Sequence, residues 1–403
     1  MLRQTHQGRC PMQARTTPAG DAAGVSRPGD LSAYCEQLRA FVLGELEQAA
    51  EDIEQARLHP LALWERLARR SLLRLTLPPR YGGWGLSMTE YVPLLELVAQ
   101  SHGSVRMIVH VHNGLWRLLD RYGTEEHKQR YLSRWATGEA KLAFALTEPD
   151  AGTGTDIRTE AKRVRDGWLL RGRKWLITFA DVADAFVVVA YTDHTRGAQG
   201  ISAFLVPRDS PGLRITLQPQ GMGLAGTGHG LLEFQDCCVP QDALLGEEGK
   251  GLHMVLRDFL DISRISIATS CVGLAQRALD LAREHAQRRV TFGKPLMERQ
   301  AVAFALAEMA VDVQAARLLV REAAGRVDAG QPCAVPAAMA KLFGLEMVGR
   351  VTDKALRIFG GIGYLRGHPI ERIYRDARAL WFEEGTAEIQ KLVIARGLSS
   401  TEG

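Results

Sequence analysis

Ala185-Phe186-Val187-Val188-Val189-Ala190 is a short, unbroken apolar run rich in valine. Valine is stiff at χ1 and packs well on a pleated surface, so the run predicts a buried strand. Ile201-Ser202-Ala203-Phe204-Leu205-Val206, closed by Pro207, is a second such run, and Leu231-Leu232-Glu233-Phe234 is another strand-like segment. Glycine-containing turns lie between them. A small β domain over residues 141–249 is the expectation.

Both flanks read as helix. On the N-terminal side, Tyr34, Leu38, Phe41, Val42 and Leu46 recur at three- and four-residue spacing. The segment 78–83, with two prolines and two glycines, breaks the chain into a loop, and helical patterning resumes over 94–98 and 108–115. On the C-terminal side, 265–288, 300–329 and 334–359 are long helical segments with Ala and Leu on their apolar faces, which predicts a close-packed bundle. The fold class is therefore mainly α with a middle β domain. It comprises a flexible leader (1–30), an N-terminal helical domain (31–140), the β domain (141–249) and a C-terminal helical bundle (250–403).

The chain of 403 residues is 46% hydrophobic and 24% charged, enough for a sizeable core. A net charge of +4 without a long basic run argues against nucleic-acid binding. No apolar run approaches the roughly 20 residues that span a bilayer. Cys10, Cys35, Cys237, Cys238, Cys271 and Cys333 include no C-x-x-C pair, and adjacent residues on a strand point to opposite faces. A reducing, cytoplasmic setting is expected rather than a zinc site or disulfide framework. The leader carries Arg3, Arg9, Arg15 and Arg27 with no acid before Asp21, partly like a mitochondrial transit peptide, which would place the protein in the matrix. Pro11, Pro18 and Pro28 would break its amphipathic helix.

Two apparent motifs fail on context. Gly221-Met222-Gly223-Leu224-Ala225-Gly226 matches G-x-G-x-x-G, but a strand-like segment follows where a dinucleotide fold needs a helix. A glycine-rich loop in the β domain is expected. His110 and His112, two apart on a helix, do not share a face for metal binding.

Four separated segments carry the chemistry: Leu146-Thr147-Glu148-Pro149-Asp150-Ala151-Gly152-Thr153; Lys174-Trp175-Leu176-Ile177-Thr178; Arg289-Val290-Thr291-Phe292-Gly293-Lys294-Pro295; and Ile358-Phe359-Gly360-Gly361-Ile362-Gly363-Tyr364 with Glu383-Glu384-Gly385-Thr386-Ala387-Glu388-Ile389-Gln390. Thr147 and Thr178, at strand edges, offer hydroxyls to a polar ring edge. Arg289 offers permanent charge to a pyrophosphate, and Gly360 and Gly361 allow close backbone approach. Gly385-Thr386 opens a helix whose N-terminus favours an anion.

Taken in order, T-E-P-x-A-G, R-x-x-F-G, F-G-G-x-G-Y and E-G-T-x-E-I-Q resemble the FAD-dependent acyl-CoA dehydrogenase family, over roughly Leu31 to Gly397. The resemblance implies an N-terminal helical domain, a middle β-barrel or sheet domain and a C-terminal four-helix bundle. It gives FAD contacts to Thr147, Thr153, Ile177 and Thr178, and to Thr386 and Glu388. Contacts to a neighbouring subunit's FAD fall to Arg289, Thr291, Phe292, Gln300, Arg357, Gly360 and Gly361. That sharing implies a homotetramer. Thr153, Asp261, Arg264 and Gly385 fall beside the substrate, an acyl-CoA or a carrier-bound acyl thioester. An electron-transferring flavoprotein is the implied electron acceptor. This sequence also departs from the family. Trp175 comes one place early and Leu176 sits at the family's aromatic. Arg357 replaces a common Gln, Ala225 a common Arg, and Glu383 a common Tyr.

Alpha–beta desaturation needs a carboxylate for the α-proton and an acceptor for the β-hydride. Glu384 offers the carboxylate, and burial should raise its pKa. Some relatives place the base on the bundle helix, where this chain has Ser263, which cannot serve. Glu383 competes with Glu384, but the Glu-Gly-Thr registration favours the latter. An acyl-CoA oxidase or other oxygen-using flavoprotein, and a non-catalytic helical scaffold, are the alternatives. Arg106 stands among apolar neighbours on a helix that resembles the far wall of the family's acyl pocket. It requires a partner. Either a protein acid such as Glu383 supplies it or the side chain snorkels to solvent, or, as the resemblance to glutaryl-CoA dehydrogenases implies, a dicarboxylic substrate supplies it.

Overall fold

The predicted apolar runs form the middle of one sheet in the computed structural model, which describes residues 27–58 and 60–399. The leader through residue 26, Cys10 included, lies outside the described residues. The strands are β1 (Leu142–Ala145), β2 (Glu160–Val164), β3 (Gly167–Thr178), β4 (Ala185–Tyr191), β5 (Ile201–Pro207), β6 (Leu213–Leu217), β7 (His229–Pro240) and β8 (Leu244–Leu245), ordered β6-β7-β3-β2-β4-β5-β8, with β1 beside β4. Every residue of β4 and β5 is buried, which explains their unbroken apolar sequences. They pair antiparallel from Ala185↔Pro207 to Tyr191↔Ile201, so Pro207 ends its strand where a missing N–H costs least.

The described chain packs as two units. One comprises Leu115–Pro219 and Gly228–Leu256 and contains this sheet. The other comprises residues up to Gly114, Gln220–Thr227 and residues from Arg257 onward. The glycine-rich loop, expected in the β domain, belongs to the helical unit instead. Asp376 Oδ1 accepts from Leu224 N at 2.8 Å and its Oδ2 from Gly103 N at 2.9 Å, while Arg375 donates to Met222 O at 2.9 Å. These backbone groups serve as docking points within the protein.

In the helical unit, the long helices Asp261–Arg288, Gln300–Asp328 and Ala334–Phe359 agree closely with the predicted segments. Met88–Val98 packs with them, and His110 on Gly103–Tyr122 meets Ser263 on the first of them. Alanine-rich faces allow close approach. At Gly273 a Cβ would lie 2.4 Å from Glu96 O and 2.6 Å from Ala99 Cβ, so only glycine fits there. Among the described residues, no helix is long and apolar enough to cross a membrane.

Gly325, by contrast, faces open space on its helix. We expect Gly273→Ala to lower stability by about 1–3 kcal/mol through overpacking. Gly325→Ala should raise it by about 0.5–1 kcal/mol, because alanine favours helix. Calorimetric melting of both variants beside the parent checks this, and a Gly273→Ala protein melting as high as the parent would contradict the close approach.

Candidate active site

Glu384 lies in the turn between helices Pro369–Ala379 and Ala387–Ser399, with φ +52. Gly385 follows at φ +90. Left-handed backbone is unfavourable for a residue with a Cβ, by about 1–2 kcal/mol, so neighbours must hold it. Lys341 does so. Its buried Nζ donates to the carbonyl oxygens of both Glu383 and Gly385. Gln390 Nε2, also buried, donates to Gly385 O at 3.0 Å and to Glu384 O and Thr386 O at 3.3 Å.

The surrounding charges are balanced. Arg106, 0% exposed, makes a two-pronged ion pair with Glu383, at 2.5 Å from Nη1 and 2.6 Å from Nη2. Burial alone would push the Glu383 carboxyl up, but Arg106 holds it below the usual range. Glu384 moves the other way. Burial raises it, opposed by a hydrogen bond from Ser263 and by the charge of Lys341, and assisted by the charge of Glu383. Lys341 is lowered to about 8, chiefly by burial. Asp261 and Arg264, one helical turn apart, pair at 2.6 Å. Adjacent carboxyls driven apart in this way suit different roles: Glu383 stays ionised in its pair, while Glu384 is poised to exchange a proton.

Part of this cluster has no signal in its local sequence. His110, a poor metal ligand by its spacing, places its Nε2 2.6 Å from Ser263 Oγ. Lys341 was passed over, although a lone cation in the apolar segment 337–342 was a usable signal. For Arg106, the structure supplies the protein acid. Both Nη atoms are engaged by Glu383.

The proposed flavin residues fall into two groups. In the sheet unit, Trp175 N donates to Thr147 O at 2.8 Å, joining the first two motifs. Beneath them Lys174, buried, pairs with Glu148 at 2.7 Å, and Glu148 also accepts from Arg158 N and Thr159 N. Thr147 and Thr153 are exposed, Thr178 is half-buried and Ile177 is buried. In the helical unit, Arg289 follows Asp261–Arg288 and leads into a hairpin, Val290–Thr291 against Lys294–Pro295. Its turn residue Phe292 is 96% exposed. Gly360 and Gly361 are exposed just after helix Ala334–Phe359, whose last residue meets His285 at 4.3 Å between ring centroids. The Arg289 and Gly360 motifs thus share one end of the bundle. Gln300 is exposed at its helix start, and Arg357 pairs with Asp353 at the surface. Glu388 caps its own helix start, bonding its own N–H and Thr386.

Residues 30–139, 143–237 and 249–399 match, in order, the Acyl-CoA dehydrogenase N-terminal, middle and C-terminal domains. Similar relatives include the human mitochondrial short-chain specific acyl-CoA dehydrogenase, 39% identical over 375 residues, covering 92% of this chain and 90% of the relative. The solved butyryl-CoA dehydrogenase from Megasphaera elsdenii superposes with TM-score 0.87 at 32% identity, covering 96% of this chain and 100% of that one. A chain in the structure of the electron transferring flavoprotein of Acidaminococcus fermentans, described as working towards a mechanism of flavin-based electron bifurcation, gives TM-score 0.87 at 33% identity, covering 93% and 99%.

Removing one partner of the Arg106–Glu383 pair leaves an uncompensated charge. We expect Glu383→Leu to cost about 3–5 kcal/mol and the double variant with Arg106→Met to recover most of it. The pair's contribution should be full above the unfolded carboxylate range and lost as pH falls through the depressed Glu383 value. Denaturant titrations of the four proteins across acidic pH check both, and additive losses would disprove the coupling.

Proposed function

The chain belongs to the acyl-CoA dehydrogenase family, and we propose that it oxidises a short, uncharged acyl-CoA with Glu384 as the base. The observation that carries this reading is the Glu384 carboxyl itself. It is fixed by Lys341 and Gln390 through the backbone and shifted upward by burial, beside a neighbour kept ionised by Arg106. Glu384 takes the α-proton and becomes the neutral acid, while the electron pair of the broken bond goes into the new double bond. FAD, when bound, supplies the acceptor for the β-hydride. Thr147 and Thr178 would meet its ring. These residues fit the group: Thr147 is exposed just past the end of β1, and Thr178 is half-buried at the last position of β3, so both hydroxyls can reach a polar ring edge.

A short, uncharged acyl group follows from Arg106 being occupied and from the short-chain and butyryl relatives. Exposed Phe292, Tyr364 and Phe382 in the helical unit support assembly with further copies, a tetramer in this reading. The Acidaminococcus structure motivates an electron-transferring flavoprotein as acceptor. Thiols at Cys35, Cys271 and Cys333 fit a reducing, cytoplasmic setting.

Anaerobic rapid mixing tests the proposal. Butyryl-CoA should bleach the flavin faster than glutaryl-CoA does. Glu384→Gln should retain flavin yet slow reduction by at least about 100-fold. Reduction of that variant at the parent's rate would move the base elsewhere, and a preference for glutaryl-CoA would return Arg106 to the substrate.

A further inference from the structure

Thr147 and Thr178, assigned above to one flavin ring, stand on different segments of the sheet unit. Thr147 follows β1, and Thr178 ends β3. A rigid ring can meet both only if the two segments keep a fixed spacing. Lys174, on β3 and 0% exposed, supplies the link. Its Nζ donates to Leu146 O at 2.9 Å and to Glu148 Oε1 at 2.7 Å, so one ammonium binds the residues on either side of Thr147. The next residue of β3 adds a third bond, because Trp175 N donates to Thr147 O at 2.8 Å. Thr147 itself stays exposed.

Glu148 extends the same restraint to Thr153. Pro149 biases Glu148 towards extended backbone, and the residue is only 6% exposed. Besides Lys174, its carboxylate accepts from Arg158 N at 2.7 Å and from Thr159 N at 3.0 Å. Residue 148 is thereby joined to residues 158 and 159, which closes the root of the loop that carries Thr153. Within that loop Gly152 N donates to Asp156 Oδ2 at 2.6 Å, and Tyr191 Oη donates to Thr155 O at 2.8 Å. Burial alone would push the Glu148 carboxyl up, but Lys174 holds it below the usual range. As a stability device such a pair is poor, since well-packed apolar residues of similar volume often do as well or better. What apolar residues cannot do is bind a backbone carbonyl and two backbone N–H groups at set positions.

We propose that Lys174 and Glu148 are positioning residues for the flavin site, a buried ion pair that keeps Thr147 in register with Thr178 and fixes the root of the Thr153 loop before the ring binds. This rests on the FAD-dependent reading and on the assignment of Thr147 above, and adds to them what orders the site in advance. Ordering in advance matters because groups that must be fixed during binding subtract from affinity. Lys341 treats Glu384 in the same way, binding the carbonyl oxygens on either side of it. In both places a buried ammonium fixes the flanks of a residue whose side chain is left for function.

The experiment uses the FAD-loaded enzyme and has three readouts: FAD release on dilution, followed by the return of free-flavin fluorescence; the visible absorption of the bound flavin; and the melting temperature in excess FAD. The proteins are the parent, Lys174→Met, Glu148→Gln, the double variant Lys174→Met/Glu148→Gln, and Thr147→Val as a reference. Lys174→Met leaves a buried carboxylate without its cation, so it should melt lower and release FAD more readily. The double variant buries neither charge, and its amide oxygen still accepts from the backbone N–H groups. Its melting should return towards the parent's. Its FAD dissociation constant should nevertheless stay about 10-fold higher, the scale of ordering one or two groups afresh on binding, with the flavin absorption altered as in Thr147→Val. Melting and FAD retention that recover together would make the pair structural only and overturn the proposal. Should the double variant not fold, or not recover its melting, Glu148→Gln decides. That variant keeps the shape, removes the charge that draws Lys174, and should shift the flavin absorption and loosen FAD by a few-fold; a spectrum and affinity equal to the parent's overturn the proposal. Thr147→Val separates the two levels. A parent that binds no FAD, or a Thr147→Val protein with the parent's flavin affinity and spectrum, brings down the functional reading itself. If Thr147→Val alters both while the pair variants alter neither, only the positioning role fails.

Discussion

Lys341 reaches from the middle of an alanine-rich helix face to the carbonyl oxygens of Glu383 and Gly385, bridging the residue between them. Glu384 cannot be glycine if it is to carry a carboxylate, yet its backbone takes the conformation that glycine tolerates best. The strain has to be offset locally, and a buried ammonium with two carbonyl acceptors on either side is a strong local restraint. Burial of that ammonium is itself unfavourable, as its depressed value shows. Its tolerance depends on the carboxylates beside it. The clamp, the turn and the charges around the base are therefore one arrangement, and altering any of the three disturbs the others.

The cluster closes electrostatically. Arg106, Lys341 and Arg264 supply three positive charges, and Glu383, Glu384 and Asp261 three negative ones. Burying any one of these alone would be costly, whereas balanced sets with good geometry are tolerated. In the proposed reaction, proton transfer to Glu384 changes the balance by one unit. Lys341, already lowered toward neutrality, is the neighbour best suited to absorb that change.

Much of the fold could be read from sequence because it depends on local patterns. The valine run and the proline-closed run became β4 and β5, and the long bundle helices begin and end close to where periodicity placed them. The early Trp175 also has a physical origin. Between Lys174↔Leu232 and Ile177↔Gly230, β3 advances three residues while β7 advances two, and Leu176 takes φ +54 in the resulting bulge. Glu384 was legible from the Glu-Gly-Thr registration, and Glu383 as a partner for Arg106 from the rule that buried charge needs a counter-charge. What was not legible depends on contacts between distant segments. Position 263 lacks an acid, but nothing in its local sequence shows that its hydroxyl meets His110. Nor does the glycine-rich loop reveal that Asp376, some 150 residues later, captures its backbone.

The pairing of Arg106 with Glu383 bears most directly on selectivity. A second carboxylate next to the base raises the base's pKa by repulsion, and an unpaired guanidinium on an apolar helix would be an uncompensated charge. Each residue alone is unfavourable, and together they neutralise each other through two short hydrogen bonds. A substrate bearing a distal carboxylate would have to displace Glu383 to reach Arg106, leaving a protein carboxylate unpaired. Breaking such a pair costs about 3–5 kcal/mol, which offsets most of the 2–5 kcal/mol a new charged contact typically returns. A neutral acyl chain incurs no such exchange. In the proposed reading, the same residues that make Arg106 look like an anion receptor in sequence disfavour, once folded, an anionic substrate.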